Sequence, residues 1–200
     1  MYSKMAFKNN QEDSDDEDND SLELIRVIDN NIYFYDEVNN SNALKINIHI
    51  RNLIKKHTIL SIQTNSDFIP INLYINSQGG EISAAFCIID TILTSKVPIY
   101  TIIEGEAASA ATLISVVGHK RFIQKHAHML IHQMRCGFWG KMDECTDEMK
   151  NIKKYTKTLK NIYKKYTTIS DEKLDLFLKK DIYWSSKLCL KYGLVDTIIE

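Results

Sequence analysis

Long apolar runs are missing from this chain of 200 residues: none approaches the roughly 18 consecutive apolar residues that a membrane-crossing helix requires. The first ten residues, Met1 to Asn10, hold no apolar stretch that could act as a secretory signal. A soluble, unexported protein is therefore expected. Cysteine is scarce too, with four residues (Cys87, Cys136, Cys145, Cys189) and no CxxC pair. Without a secretory signal these read as reduced thiols, half-buried and used for packing. Strong charge of one sign is also lacking, because the formal net charge is −1. That small value conceals an asymmetry. Residues 1–21 carry seven acids (Glu12, Asp13, Asp15, Asp16, Glu17, Asp18, Asp20) against Lys4 and Lys8. A like-charged block with so few apolar residues cannot offset its ordering entropy, so a disordered acidic tail is expected there. The remainder, 22–200, carries about +4 and is read as a single domain, too weakly basic to argue for nucleic acid.

The 44% apolar content is enough for a sizeable core, and its spacing alternates between strand-like and helix-like. Asn31–Tyr35 reads as a strand and Ala43–Lys55 as a helix. Ile71–Ile75 is an apolar run that ends in Asn76-Ser77-Gln78-Gly79-Gly80, a strong turn signal. Glu81–Thr94 then places Ile82, Ala85, Phe86, Ile89 and Leu93 at helical spacing. A second apolar strand, Ile99–Ile103, leads through the small residues Gly105–Ala111 into a short helix reaching Val117. Lys120–Ile123 and His128–His132 are further strand candidates. From Lys141 to Tyr166 a long helix carries a seam of Met142, Cys145, Met149, Ile152, Leu159, Tyr163 and Tyr166, interrupted only by Thr156, with a lysine-rich solvated face opposite. Ser170 suits the N-cap of a helix through Leu178, and a last helix, Ser185–Tyr192, should end at Gly193. Strand, turn and helix in repetition imply parallel strands with crossover helices, an α/β fold.

Two strand-to-helix junctions could carry chemistry. At Asn76–Gly80 the glycines allow backbone N–H groups to approach a ligand, and the adjoining helix start favours negative charge on it. At Gly105–Ala111, Ser109 stands near a helix start among small neighbours, and the Ala110 N–H is a possible oxyanion donor. Either junction by itself is equally a plain turn or a close-packing site. A nucleophilic serine needs a base, and His132 follows an apolar strand and precedes a loop. The base in turn needs a carboxylate to orient it. Asp181, before Ile182-Tyr183-Trp184, is a candidate, though periodicity alone does not separate it from Asp196.

The ordered set Ile75–Gly80, Gly105–Ala111 around Ser109, Ile131-His132-Gln133, and Asp181 followed by Tyr192-Gly193-Leu194-Val195-Asp196 closely resembles the proteolytic subunit of Clp protease (ClpP). The resemblance covers about residues 30–200 and is strong from Ile71 onward. It implies a crotonase-like (ClpP-type) α/β fold of repeated ββα units with a protruding handle helix. It also implies a serine endopeptidase with Ser109 as nucleophile, His132 as base and Asp181 as orienting acid. Gly80 and Ala110 correspond to the oxyanion donors, and Gly79, Gly137, Phe138 and Trp139 to substrate contacts, the last three within a segment that binds substrate as an added strand. The implied partners are an unfolded polypeptide, further copies of the chain in heptameric rings enclosing a chamber, and an AAA+ unfoldase. No cofactor, membrane or nucleic acid is implied, and the expected compartment is the cytoplasm, with an organelle left open. Three residues depart from the family's pattern: Gln78 and Met134 stand where proline is usual, so both loops should be looser, and Ala110 stands where methionine is common. The segment that forms the family's axial pore is not recognisable.

Two other functions stay open at this level. One is an inactive ring subunit that modulates an active paralogue; the other is acyl-CoA chemistry on the same fold. One set of residues could suggest a metal site: His126, His128 and His132 would share a face on one strand, with Cys136 following. Metal on His132 would block its use as a base and the spacing fits no common zinc pattern, so no metal is expected.

Overall fold

The computed structural model describes residues 24–200, so the acidic tail expected at 1–21 lies outside the described residues. The sheet begins with a hairpin of β1 (Ile25–Ile28) and β2 (Asn31–Phe34), turned at Asp29 with φ 58°. Strand β1 was not expected, and its burial explains why. Only Ile25 is buried and the next three residues are exposed, so the alternation that marks a half-buried strand is absent.

Helix α1 spans Asn40–Thr64, well beyond the expected Ala43–Lys55. Asn39 caps it, its side chain accepting from the Asn42 N–H at 2.9 Å, and Asn65 ends it in the left-handed region at φ 51°. The apolar stripe of Ala43, Ile46, Ile50 and Leu53 is diluted by buried Asn42, Asn47 and His57, which weakens the periodic signal. Strand β3 (Ile71–Ser77) alternates strictly, with Ile71, Leu73, Ile75 and Ser77 buried. Each fully buried branched aliphatic of this kind contributes about 1.5–3 kcal/mol to folding. Helix α2 (Ile82–Leu93), strand β4 (Ile99–Ala108), helix α3 (Ala110–Val116) and strand β5 (Lys120–Gln124) follow.

Strands β2 to β5 are parallel neighbours in chain order, as strand–turn–helix repetition predicts. Strand β8 (Thr197–Ile199) adds parallel to β5 at the far edge. The sheet then forks. Tyr100–Ile103 of β4 pairs with β5, but Glu106–Ala108 pairs with β6 (His128–Leu130). Gly105 marks the point of divergence at φ 69°, where a Cβ would stand 2.8 Å from the Asn76 Oδ1. β6 in turn pairs antiparallel with the short β7 (Trp184–Ser185). The expected strand His128–His132 is thus three residues long, and His132 lies past its end.

The fully buried residues of helix α4 (Met142–Tyr166), Leu159 and Tyr163, lie in its C-terminal half. Its N-terminal half projects from the body, leaving Met142 81% and Met149 53% exposed. This is the expected handle. Thr156, the apparent break in the apolar seam, meets the body: its hydroxyl lies 3.8 Å from the Met134 sulfur. Helices α5 (Asp171–Phe177) and α6 (Ser186–Lys191) complete the chain, with Gly193 at φ 67° just after the latter. Ser170 precedes α5 as expected, but its hydroxyl makes no capping hydrogen bond. The cysteines are free, and only Cys189 is packed inside; its burial raises the thiol pKa to about 12. Cys87 and Cys136 are exposed, contrary to the expected packing role. No helix among the described residues is long and apolar enough to cross a membrane.

Arg121 locks the C-terminal edge. Its Nε donates to the Asp196 Oδ2 at 3.1 Å, its Nη1 donates to the Gly193 carbonyl at 2.8 Å and to that of Tyr166, and its backbone N–H donates to the Asp196 Oδ2 at 2.9 Å. The guanidinium holds the Asp196 carboxyl below its ordinary value. A carboxyl whose folded pKa is depressed stabilises fully above its unfolded pKa and loses that contribution as the pH falls through the folded one. Urea midpoints of the parent should therefore drop more steeply below about pH 5 than those of Asp196→Asn. Parallel pH curves for the two proteins would show that the lock does not couple to folding.

Candidate active site

The fork in the sheet assembles a site from distant segments. Because β4 and β6 run parallel with Ala108 opposite Leu130, the residues just beyond them, Ser109 and His132, leave the sheet side by side. The Ser109 N–H donates to the Leu130 carbonyl at 2.8 Å, two residues before the histidine. The third segment comes from β7. Its antiparallel register sets His128 opposite Ser185 and Met129 opposite Trp184. Continued three residues further, that register sets Asp181 opposite His132. The side chains meet there, with His132 Nδ1 3.0 Å from Asp181 Oδ1. Asp196, which spacing alone could not separate from Asp181, is held by Arg121 on the other branch of the fork, where β5 pairs with β8.

Ser109 has φ 54° and ψ −122°, a backbone conformation costly for any residue with a Cβ. Its surroundings hold it there. Gly79 packs so closely that a Cβ would lie 2.5 Å from the Ala108 carbonyl oxygen and 2.8 Å from the Ser109 Cβ. On the other side Thr112 donates its hydroxyl to the Ser109 carbonyl at 2.6 Å and accepts from the Tyr163 hydroxyl of α4. Burial keeps that phenol protonated, with its pKa raised well above the ordinary value.

The glycine turn is fixed from outside. Val38 donates to the Gly79 carbonyl at 2.8 Å and accepts from the Glu81 N–H at 2.7 Å. With both flanking groups taken by Val38, the N–H of Gly80 between them points away from it. Ala110 opens α3, where a first-turn N–H has no intrahelical acceptor. The turn needs no proline at Gln78, being held by Val38 and by the Ser77 hydroxyl, which accepts from the Gly79 N–H at 3.2 Å. The loop after His132 is tied likewise, the Gln133 N–H donating to the Leu178 carbonyl at 2.7 Å. Met134 packs against the core instead of fixing φ.

Ser109, His132, Gly80 and Ala110 line one cavity of about 270 Å³, together with Ile82, Leu113, Met134, Arg135 and Leu159. Gly79 is not part of the lining; it packs against Ser109 and Ala110. Gly137, Phe138 and Trp139 lie outside its lining, in a loop before α4 that is neither helix nor strand, with Trp139 99% exposed. Arg135 is the residue that sequence reasoning missed. It forms an ion pair with the Asp181 Oδ2. That contact, with His132 on the other oxygen, holds the carboxyl below its ordinary value against a smaller opposing effect of desolvation. No motif signals a pairing across 46 residues. The histidines weighed as metal ligands do not converge. His126 precedes β6 and His128 is exposed, and among the described residues no group of three His, Cys, Asp or Glu is placed to hold a metal.

Comparison with known proteins adds a curated relative, the ATP-dependent Clp protease proteolytic subunit of Deinococcus radiodurans. It is 36% identical over 132 residues, and the alignment spans 65% of this chain and 65% of that protein. The family model described as Clp protease matches residues 28–200. Taken with the forked sheet and the projecting handle, this match shows that the chain belongs to the Clp protease family.

Proposed function

We propose that the chain is the subunit of a ClpP-type serine endopeptidase that cleaves unfolded polypeptides by an acyl-enzyme route. The observation that carries this reading is that Ser109 and His132, from beyond the ends of β4 and β6, line one cavity, with His132 hydrogen-bonded to Asp181 from the segment before β7. With its Nδ1 proton donated to Asp181, the imidazole presents Nε2 as base. Nε2 takes the Ser109 proton as Oγ bonds to the scissile carbonyl carbon. The resulting oxyanion is met by the N–H groups of Gly80 and Ala110. The C–N bond then breaks with the proton passing to the leaving amine, and water repeats the sequence to free Ser109. Asp181 balances the imidazolium charge in both halves.

The bare apolar stretch of α4 around Met142 and Met149 suits packing against further copies. We assign it to a homo-oligomeric ring assembly whose chamber encloses the sites and which receives substrate from an AAA+ unfoldase. The exposed loop at Gly137–Gly140 would receive substrate as an added strand.

The test is labelling of the purified protein with a fluorophosphonate, read by intact mass beside Ser109→Ala and His132→Ala. One adduct on the parent, absent from both variants, is the expected result. No adduct on a protein that sizes as a ring would reverse the reading in favour of an inactive ring subunit.

A further inference from the structure

Asp181 sits in a poor place for an orienting carboxylate. Residues 180–183 form neither helix nor strand, and the side chain is 52% exposed. A single hydrogen bond to the imidazole leaves the carboxylate free to rotate about its last torsion and to exchange with water. The second oxygen is therefore as important as the first. It is taken by Arg135, which lies three residues after His132 on the same loop, so one loop grips both oxygens. A guanidinium suits this task because its planar fork matches a carboxylate and it stays charged at every working pH. Nothing in the core needs Arg135: its side chain is 75% exposed. We propose that Arg135 is a positioning residue of the site, fixing the Asp181 carboxylate through Oδ2 so that Oδ1 stays aligned on His132. This rests on the serine-peptidase reading above.

Two other roles would suit an arginine lining the cavity. It could bind an acidic substrate side chain directly, or it could draw charge from Asp181 and so weaken the base. The roles separate in a mutant cycle of Arg135→Ala, Asp181→Asn and the double variant, measured as kcat and KM on an uncharged fluorogenic peptide and as fluorophosphonate labelling rate. Positioning through Asp181 requires Arg135→Ala to lower kcat about 10- to 30-fold with KM little changed, the scale of a modest misalignment. It further requires the same change to have less than about a twofold effect in the Asp181→Asn background. Arg135→Lys should recover part of the loss, since it restores charge without the fork. Unfolding temperatures should match throughout, so that none of these effects is a folding defect. An Arg135→Ala loss that persists without Asp181, or that falls on KM, would make Arg135 a substrate contact. A faster Arg135→Ala enzyme would make it a brake, and an unchanged one would leave it no role; each overturns the proposal. If the parent itself fails to label at Ser109, the peptidase reading falls and this inference goes with it.

Discussion

Ser109→Ala is expected to lower peptide turnover by at least about 10³ while leaving the unfolding temperature close to the parent's. The kinetic half follows from the proposed chemistry: without Oγ there is no acyl-enzyme, and only cavity binding and oxyanion donors remain. The stability half follows from the structure. Although Ser109 stands at the start of α3, its hydroxyl makes no capping hydrogen bond, so its removal breaks no contact of the fold. Alanine also keeps the Cβ that already packs against Gly79, and it meets the same backbone strain as serine. The measurement is kcat/KM on a fluorogenic peptide with thermal unfolding alongside. Adding His132→Ala should cost little more, because residues that act as a unit are strongly non-additive. Near-parent turnover by Ser109→Ala would end the assignment of the nucleophile.

The sequence carried the parts of the fold whose signals are local. The apolar run Ile71–Ile75 followed by Gly79-Gly80 marks β3 and its turn, because a buried strand and a positive-φ turn each impose their own composition. The long seam of α4 is equally plain. What could not be read depends on partners distant in sequence. Gly105–Ala108 looks like a lead into a helix, yet it is the last part of β4, because β6 pairs with it from over 20 residues away. Small residues there have little strand preference of their own, and the ladder supplies it. The choice between Asp181 and Asp196 is of the same kind. Both stand beside apolar residues near the C-terminus, and only the register of β7 on β6 brings one of them to His132. Arg135 was invisible for a further reason: surface arginines are common, and one acquires meaning only from the carboxylate it meets.

Gly79→Ala should be among the most damaging single-methyl additions in the chain, for stability and labelling together. The turn holds Gly79 at φ 96°, a conformation strained for any residue with a Cβ. The added carbon would also stand 2.5 Å from the Ala108 carbonyl oxygen, 2.8 Å from the Ser109 Cβ and 3.0 Å from the Ala110 nitrogen. Two of these three atoms are backbone, so no flexible side chain can swing aside. Either the glycine turn moves off Val38, losing the Val38 to Gly79 hydrogen bond, or the segment at Ser109 shifts. Strain and overpacking together cost about 2–4 kcal/mol. Both escapes also move the Gly80 and Ala110 N–H groups relative to each other, and with them the proposed oxyanion site, so fluorophosphonate labelling should fall at least about 10²-fold at temperatures where the variant is still folded. Gly137→Ala is the matched control for stability alone, since a Cβ there meets nothing within 4 Å. Thermal unfolding of the two variants, with labelling rates for Gly79→Ala, tests whether this contact sets the backbone of Ser109. Parent-like melting and labelling of Gly79→Ala would mean that the strained conformation of Ser109 is held by α3 and Thr112 without the glycine turn.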